Sequence, residues 1–225
     1  MARTDTISRV TRTKQQAQQN YDRQSKFYDY IAGPSEKKFK DLGLRAFAAQ
    51  PGETLLELGF GTGYCLKTLA GAVESSGRVY GIDLSSGMLA FAANRLQNAG
   101  RTQNVHLQLG DTAFLPFQED AFDGIYTSFM LELIDTPEIP GVLTGCRRVL
   151  RKGGRLCVVA LSKSTKPAVP EKLYEWAHRN FPVVFDCRPI FLKYLMQQAG
   201  FIITHHQVER MWGLPVEIVM GKNSP

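Results

Sequence analysis

Three carboxylates stand at matching places in the first half of the chain. Glu57 sits inside the apolar run Leu55-Leu-Glu-Leu58, two residues before the glycines Gly59, Gly61 and Gly63. Asp83 ends Arg78-Val-Tyr-Gly-Ile-Asp83, and Asp111 ends Val105-His-Leu-Gln-Leu-Gly-Asp111. An apolar run, a glycine turn and a helical pattern open a nucleotide-binding βαβ unit, because glycine takes turn angles that a Cβ obstructs and lets a ligand approach the main chain. A carboxylate at Glu57 sits badly against a pyrophosphate and well against a cation. Asp83, about twenty residues beyond the glycines, stands where an acid can accept from both ribose hydroxyls. The dinucleotide fingerprint is not met: the third glycine comes one place early and Tyr64 fills the slot for Gly or Ala. A P-loop is excluded because no Gly-Lys-Ser/Thr follows.

The elements that must position these acids follow from hydrophobic pattern. Thr54–Leu58, Arg78–Asp83, Val105–Asp111, Gly124–Ser128 and Arg155–Leu161 read as strands. Helices are expected over about 35–49, 64–73, 85–98, 137–150, 171–179 and 190–198. Arg151-Lys-Gly-Gly154 reads as a turn, and Phe201–Trp212 with Val216–Met220 as a closing hairpin that turns at Gly213-Leu-Pro215. The fold class expected is α/β: a single Rossmann-like doubly wound sheet of seven strands, mostly parallel, with an antiparallel C-terminal hairpin.

Glu57-Leu-Gly59-Phe-Gly61-Thr-Gly63 resembles motif I of the class I S-adenosylmethionine-dependent methyltransferases. That cofactor carries a sulfonium and an ammonium and no phosphate, which suits an acid at the glycine turn. Tyr21-Asp-Arg-Gln-Ser-Lys-Phe-Tyr28-Asp29 and Gly110-Asp-Thr112-Ala-Phe-Leu-Pro-Phe117 resemble elements of the ubiquinone/menaquinone-biosynthesis methyltransferases, with Ser25 and Thr112 where Ala is usual. The resemblance covers roughly residues 20–212. It implies a cofactor site of Tyr21, Tyr28, Glu57, Gly59, Gly61, Gly63, Asp83, Leu84, Met88, Asp111, Thr112 and Ser128. Within it Asp111 would bond the adenine amino group and Met88 would pack on the adenine ring. The Tyr21–Tyr30 segment would fold over the cofactor as a lid, its aromatic faces attracting the sulfonium. Core packing explains the same aromatic stripe.

The implied reaction is methyl transfer from S-adenosylmethionine, leaving S-adenosylhomocysteine, to a small-molecule or lipid-like acceptor, a quinol-type ring being favoured. Phospholipid or amine N-methylation is the alternative within the class, and a non-catalytic adenosyl-ligand or NAD-binding module the alternative outside it. The ending Trp212-Gly-Leu-Pro-Val-Glu-Ile-Val-Met220 differs from that of a respiratory-quinone enzyme. Positioning dominates such a transfer, so no acid–base pair need show in the sequence. His178, in the variable segment, is the candidate base, although no spacing sets it apart from His106, His205 and His206.

At 225 residues one domain is expected, over 21–225, after a polar extension of residues 1–20 and with a substrate-pocket insertion at about 162–187. Tyr174, Trp176, His178, Phe181 and Phe185 in that insertion suggest an aromatic-lined pocket. The extension carries Arg3, Arg9, Arg12 and Lys14 and forms at best a thin amphipathic helix, compatible with contact to an anionic membrane or with partial disorder. The four cysteines form no C-x-x-C pair, so neither zinc nor a redox dithiol is signalled. No signal segment or membrane-length apolar run is found, and a cytoplasmic location is expected. The net charge of +6 fits an acidic partner or a solvated surface equally. Arg147, Arg148, Arg151, Lys152 and Arg155 invite a nucleic-acid reading, but they lie before the fifth strand, away from the glycine turn, and read as a solvated turn.

Overall fold

The computed structural model describes residues 7, 9–10, 12–24, 33–164, 168–180 and 187–224. Tyr28, with Phe27 and Tyr30, lies outside them, as do Phe181 and Phe185. Seven strands form one sheet in the order β3-β2-β1-β4-β5-β7-β6. They are β1 (Thr54–Leu58), β2 (Arg78–Asp83), β3 (Val105–Leu109), β4 (Phe122–Ser128), β5 (Leu150–Leu161), β6 (Phe201–Met211) and β7 (Leu214–Asn223). β1 to β5 pair in parallel, whereas β7 runs antiparallel to both β5 and β6. The helices are α1 (Lys14–Gln24), α2 (Gly33–Phe47), α3 (Tyr64–Ala72), α4 (Ser86–Asn98), α5 (Ile139–Val149), α6 (Val169–Asn180) and α7 (Leu192–Gln198).

Helices cover both faces of the central parallel strands, so those strands must be apolar on both sides, whereas edge strand β3 is half exposed. Leu55, Leu56 and Leu58 are each at most 1% exposed. On one face Phe39 and Phe47 of α2, Leu66 and Leu69 of α3 and Leu96 of α4 share a core. On the other, Val142 and Cys146 of α5 pack with Leu195 and Met196 of α7. Burial pushes the Cys146 and Cys157 thiols up to about 12, as expected of cysteines that serve as small hydrophobes. The strand order reverses between β1 and β4, both neighbours of the switch point, and the crevice beyond their carboxyl ends is where such sheets take ligands.

Two turns differ from the expected positions. Arg151–Gly154 is part of β5: Phe122 faces Leu150 and Gly124 faces Arg155, so Asp123 alone opposes four residues in a wide bulge. The C-terminal hairpin closes at Trp212-Gly213, where Met211 faces Leu214 and Pro215 already lies in β7. Both turn residues have positive φ, 52° and 82°, as a two-residue type I′ connection requires. Three arginines of the basic cluster, at the start of β5 and just before it, are committed to structure. Arg155 grips Glu53 through both Nη1 and Nη2 at 2.7 Å, Arg148 donates to the carbonyls of Leu115 and Phe117, and Arg151 pairs with Asp123.

The glycine turn shows a division of labour. A Cβ on Gly63 would lie 2.9 Å from the Ala92 Cα, so this glycine lets α3 pack on α4. A Cβ on Gly61 would meet nothing within 4 Å and would point into open space. Both have positive φ. Gly63→Ala should therefore lower unfolding stability by roughly 2–4 kcal/mol, whereas Gly61→Ala, which has only its backbone angle to overcome, should cost about 1 kcal/mol. Denaturant unfolding of the two variants measures the difference.

Candidate active site

A cavity of about 170 Å³ opens at the carboxyl ends of β1, β2, β3 and β4. Glu57, Gly59 and Gly61 line it from the end of β1, Asp83 and Leu84 from β2, Asp111 and Thr112 from β3, and Ser128 from β4. Met88 enters from the first turn of α4 and Tyr21 from α1. Gly63 does not line it. His178 is buried on α6 and is not among the residues that line it either. None of the described residues of 162–187 lines it: Tyr174 donates to the Cys187 carbonyl at 2.8 Å, and Trp176 faces solvent.

The glycine turn is held by the next strand. Asp83 accepts the Gly61 N–H at 2.8 Å and the Ser85 N–H at 2.9 Å, which ties the loop after β1 to the tip of β2. Burial raises the Asp83 carboxyl, against the lowering effect of these N–H groups. Glu57 is 1% exposed and its Oε2 finds no hydrogen-bond partner. Burial pushes its carboxyl well above the ordinary range; Lys40 opposes this and Asp83 adds to it. Lys40, which also lines the cavity, pairs with Glu36 at 2.9 Å. A buried carboxyl facing a cavity, with an oxygen left over, is matched to a positively charged hydrogen-bond donor.

The N-terminal segment is more than a polar extension. Val10, Arg12, Thr13, Lys14, Ala17 and Tyr21 all line the cavity, and Ala17 and Tyr21 are one helical turn apart on α1. Arg9 grips Asp135 at 2.6 Å. Lys14 bridges Asp111 at 2.7 Å and Glu138 at 2.8 Å. At the other end of α1, Asp22 accepts from Ser85 Oγ at 2.6 Å and from the Gly87 N–H at 2.9 Å, at the N-terminus of α4. Ser85 in turn caps α4 by accepting the Met88 N–H. Sequence reasoning missed Arg12, Lys14, Lys40, Asp135 and Glu138. The Tyr21-Asp22 pair was the signal for the helix, but nothing local marks the residues before it as a roof.

Behind the cavity wall, Glu132 is wholly buried in the turn after β4. Its Oε1 accepts the Leu161 N–H at 3.1 Å and its Oε2 has no hydrogen-bond partner. Arg188, also buried, donates to the carbonyl of Ile134, a cavity-lining residue. Burial pushes the Glu132 carboxyl up to about 8, more than the nearby N–H groups and Arg188 pull it down. A carboxyl raised in the folded state favours folding while it is protonated. That contribution is intact below its unfolded value of about 4.5 and is lost as pH climbs to about 8. Glu132→Gln should therefore flatten the pH dependence of unfolding between pH 5 and 8, removing a slope worth on the order of a few kcal/mol. Denaturant melts across that range read it directly.

Residues 55–154 match the family described as "Methyltransferase domain". The chain is 31% identical, over 62% of its length, to a 2-phytyl-1,4-naphtoquinone methyltransferase of Synechococcus elongatus, of which the match covers 59%. It is 29% identical, over 72% of its length, to the ubiquinone/menaquinone biosynthesis C-methyltransferase UbiE of Vibrio vulnificus, of which the match covers 61%. The chain thus spans about three fifths of these curated relatives. Among solved structures, the 4+2 cyclase SpnF superposes with a TM-score of 0.76 at 19% identity, covering 95% of this chain and 97% of that one. A SAM-dependent methyltransferase from Aquifex aeolicus gives 0.64 at 20% identity, covering 88% and 97%. The same sheet thus serves methyl transfer in one neighbour and is found in a cyclase in another, so these two likenesses speak for the fold alone. Residues 55–154 thus match a methyltransferase domain, and the glycine turn and the acids at the strand tips are those expected of a chain that resembles the class I S-adenosylmethionine-dependent methyltransferases of ubiquinone and menaquinone biosynthesis.

Proposed function

We propose that the protein transfers a methyl group from S-adenosylmethionine to a small-molecule or lipid-like acceptor, with a quinol-type ring favoured. One observation carries this reading: Glu57 presents a buried oxygen without a partner to a cavity that Asp83 and Asp111 also face. A donor with an ammonium, a sulfonium and two ribose hydroxyls satisfies those acids; a pyrophosphate would be repelled by Glu57. The relatives named for quinone methylation favour the ring acceptor over a phospholipid or an amine.

In this reading Glu57 receives the ammonium, Asp83 the ribose hydroxyls and Asp111 the adenine amino group, while Met88 packs on the adenine ring. Asp83 and Asp111 each keep lone pairs beyond the N–H groups that they already accept. Tyr21 closes the site from α1 and, together with Phe129, Met130, Leu133 and Ile134, keeps water from the reacting atoms. When bound, the sulfonium supplies an activated methyl and a neutral thioether leaving group. The chain's own part is alignment, with the acceptor held about 3–3.5 Å from the methyl carbon. Asp135, Glu138 and Lys40 are among the cavity-lining ionisable groups that could handle an acceptor's proton. The segment around 162–187 remains, as a proposal, the variable part of the acceptor side.

Calorimetric titration should show binding of S-adenosylmethionine and none of NAD. Gly61→Val should abolish binding, because the added carbons enter the cavity and the residue has φ +52°. Asp83→Asn should weaken it roughly 10–100-fold, the loss of charged hydrogen bonds worth about 1.5–3 kcal/mol. Methyl transfer should be measurable with reduced naphthoquinones and not with simple amines. Binding of NAD alone would overturn the reading.

A further inference from the structure

α6 turns an apolar stripe to solvent. Val169, Leu173 and Trp176, at spacings of four and three, are 78%, 62% and 52% exposed. The tip of the β6–β7 hairpin stands beside the start of this helix, since a Cβ on Gly213 would lie 3.2 Å from Pro170. Trp212 caps that tip, 72% exposed and at φ +52°. A bulky residue is rare in that region, and Asn or Gly is what such a turn favours. A strained tryptophan held out into water is an outlier of the kind that marks function.

Among the described residues, the charges near the stripe that are left without an ion pair have one sign. Lys172 lies on the exposed face between Val169 and Trp176, and Arg210 donates to the Gly213 carbonyl at the tip. Neither makes an ion pair among the described residues. The nearby acids are spent: Glu175 pairs with Lys163 and Glu209 with Lys38, both at 2.8 Å, while buried Glu171 accepts the N–H groups of Ser164 and Ala168. Tryptophan and aliphatic residues flanked by free cations match the interface of an anionic bilayer, where the ring sits at headgroup depth. By contrast, Arg9 and Lys14 of the N-terminal segment are engaged with Asp135, Asp111 and Glu138, and Ala17 and Tyr21 line the cavity.

Topology places this stripe at the functional end. β7 is antiparallel to β5 with Val216 facing Leu161, so the start of β7 and the turn before it lie at the carboxyl end of β5. That is the end of the sheet on which the cavity opens. We propose that α6 and the β6–β7 turn form a docking face that seats the cavity end of the protein against an anionic bilayer, so that a lipid-like acceptor is taken from the membrane. This deepens the reading above and rests on it for the acceptor alone.

The chain has only two tryptophans, Trp176 and Trp212, and both lie in the proposed face, so their emission reports on it directly. The protein is titrated with vesicles of phosphatidylcholine alone and with about one third phosphatidylglycerol. Emission should shift to the blue and be quenched by brominated chains on the anionic vesicles, with weaker effects on neutral ones and at high salt. Leu173→Glu should lower vesicle partition about tenfold or more. Trp212→Gly should lower it too while relieving the turn, so loss of fold does not confound the result. Both variants should bind S-adenosylmethionine as the wild type does. Unchanged emission with vesicles, undiminished partition of both variants, or a shift that follows protein rather than lipid concentration would each overturn the proposal. Vesicle failure with cofactor binding intact sinks only this inference, whereas loss of cofactor binding by the wild type sinks the earlier one.

Discussion

A carboxyl group buried without a full set of partners is costly, and Glu57 is such a group. It interrupts the apolar run of β1 at the sheet's switch point, where leucine would pack at no such cost. The rest of the site can be understood as an arrangement around that charge. The glycine turn after it bares main chain to the cavity, and Asp83 fixes the turn through the Gly61 N–H. Lys40 lines the same cavity and draws the Glu57 carboxyl part of the way back toward ionisation. A cationic ligand would complete the compensation, which is why the site suits a sulfonium donor with a free ammonium.

The second organising feature is the roof. Short ion pairs join residues far apart in sequence: Arg9 to Asp135, and Lys14 to Asp111 and Glu138. Exposed pairs of this kind add little stability singly and are weakened by salt. Asp22 anchors the other end of α1 more firmly, because it accepts from three donors at the N-terminus of α4.

Much of this was legible in sequence because it is local. Parallel strands buried on two faces read as apolar runs, and the glycines and terminal acids fall at fixed offsets from them. What was missed depends on contacts between distant residues. The polar stretch before Tyr21 has too few apolar positions to announce a helix, and its role rests on ion pairs to the loops after β3 and β4. The hairpin turn was placed at Gly213–Pro215 because Trp-Gly lacks the Asn-Gly signature, although the backbone takes the same angles at 212–213. Arg151-Lys-Gly-Gly154 looked like a turn because its composition is that of one, and the sheet absorbs it as a bulge opposite Asp123. Composition does not say which way a helix faces: of the aromatics of 162–187, Trp176 is exposed and His178 buried, and neither lines the cavity. Glycine spacing showed a turn, but only the structure separates Gly63, which packs α3 on α4, from Gly61, which faces the ligand space.

The central claim is that Glu57 ionises to meet a cation. Its carboxyl is held up by burial, so at lower pH it carries a proton that a cationic ligand must expel, and affinity must rise with pH as the group ionises. Calorimetric titration of S-adenosylmethionine in buffers of different ionisation enthalpy counts that proton. The account predicts proton release on binding by the wild type and none by Glu57→Gln. Tight binding with no proton released, or with the same release in both proteins, would contradict it.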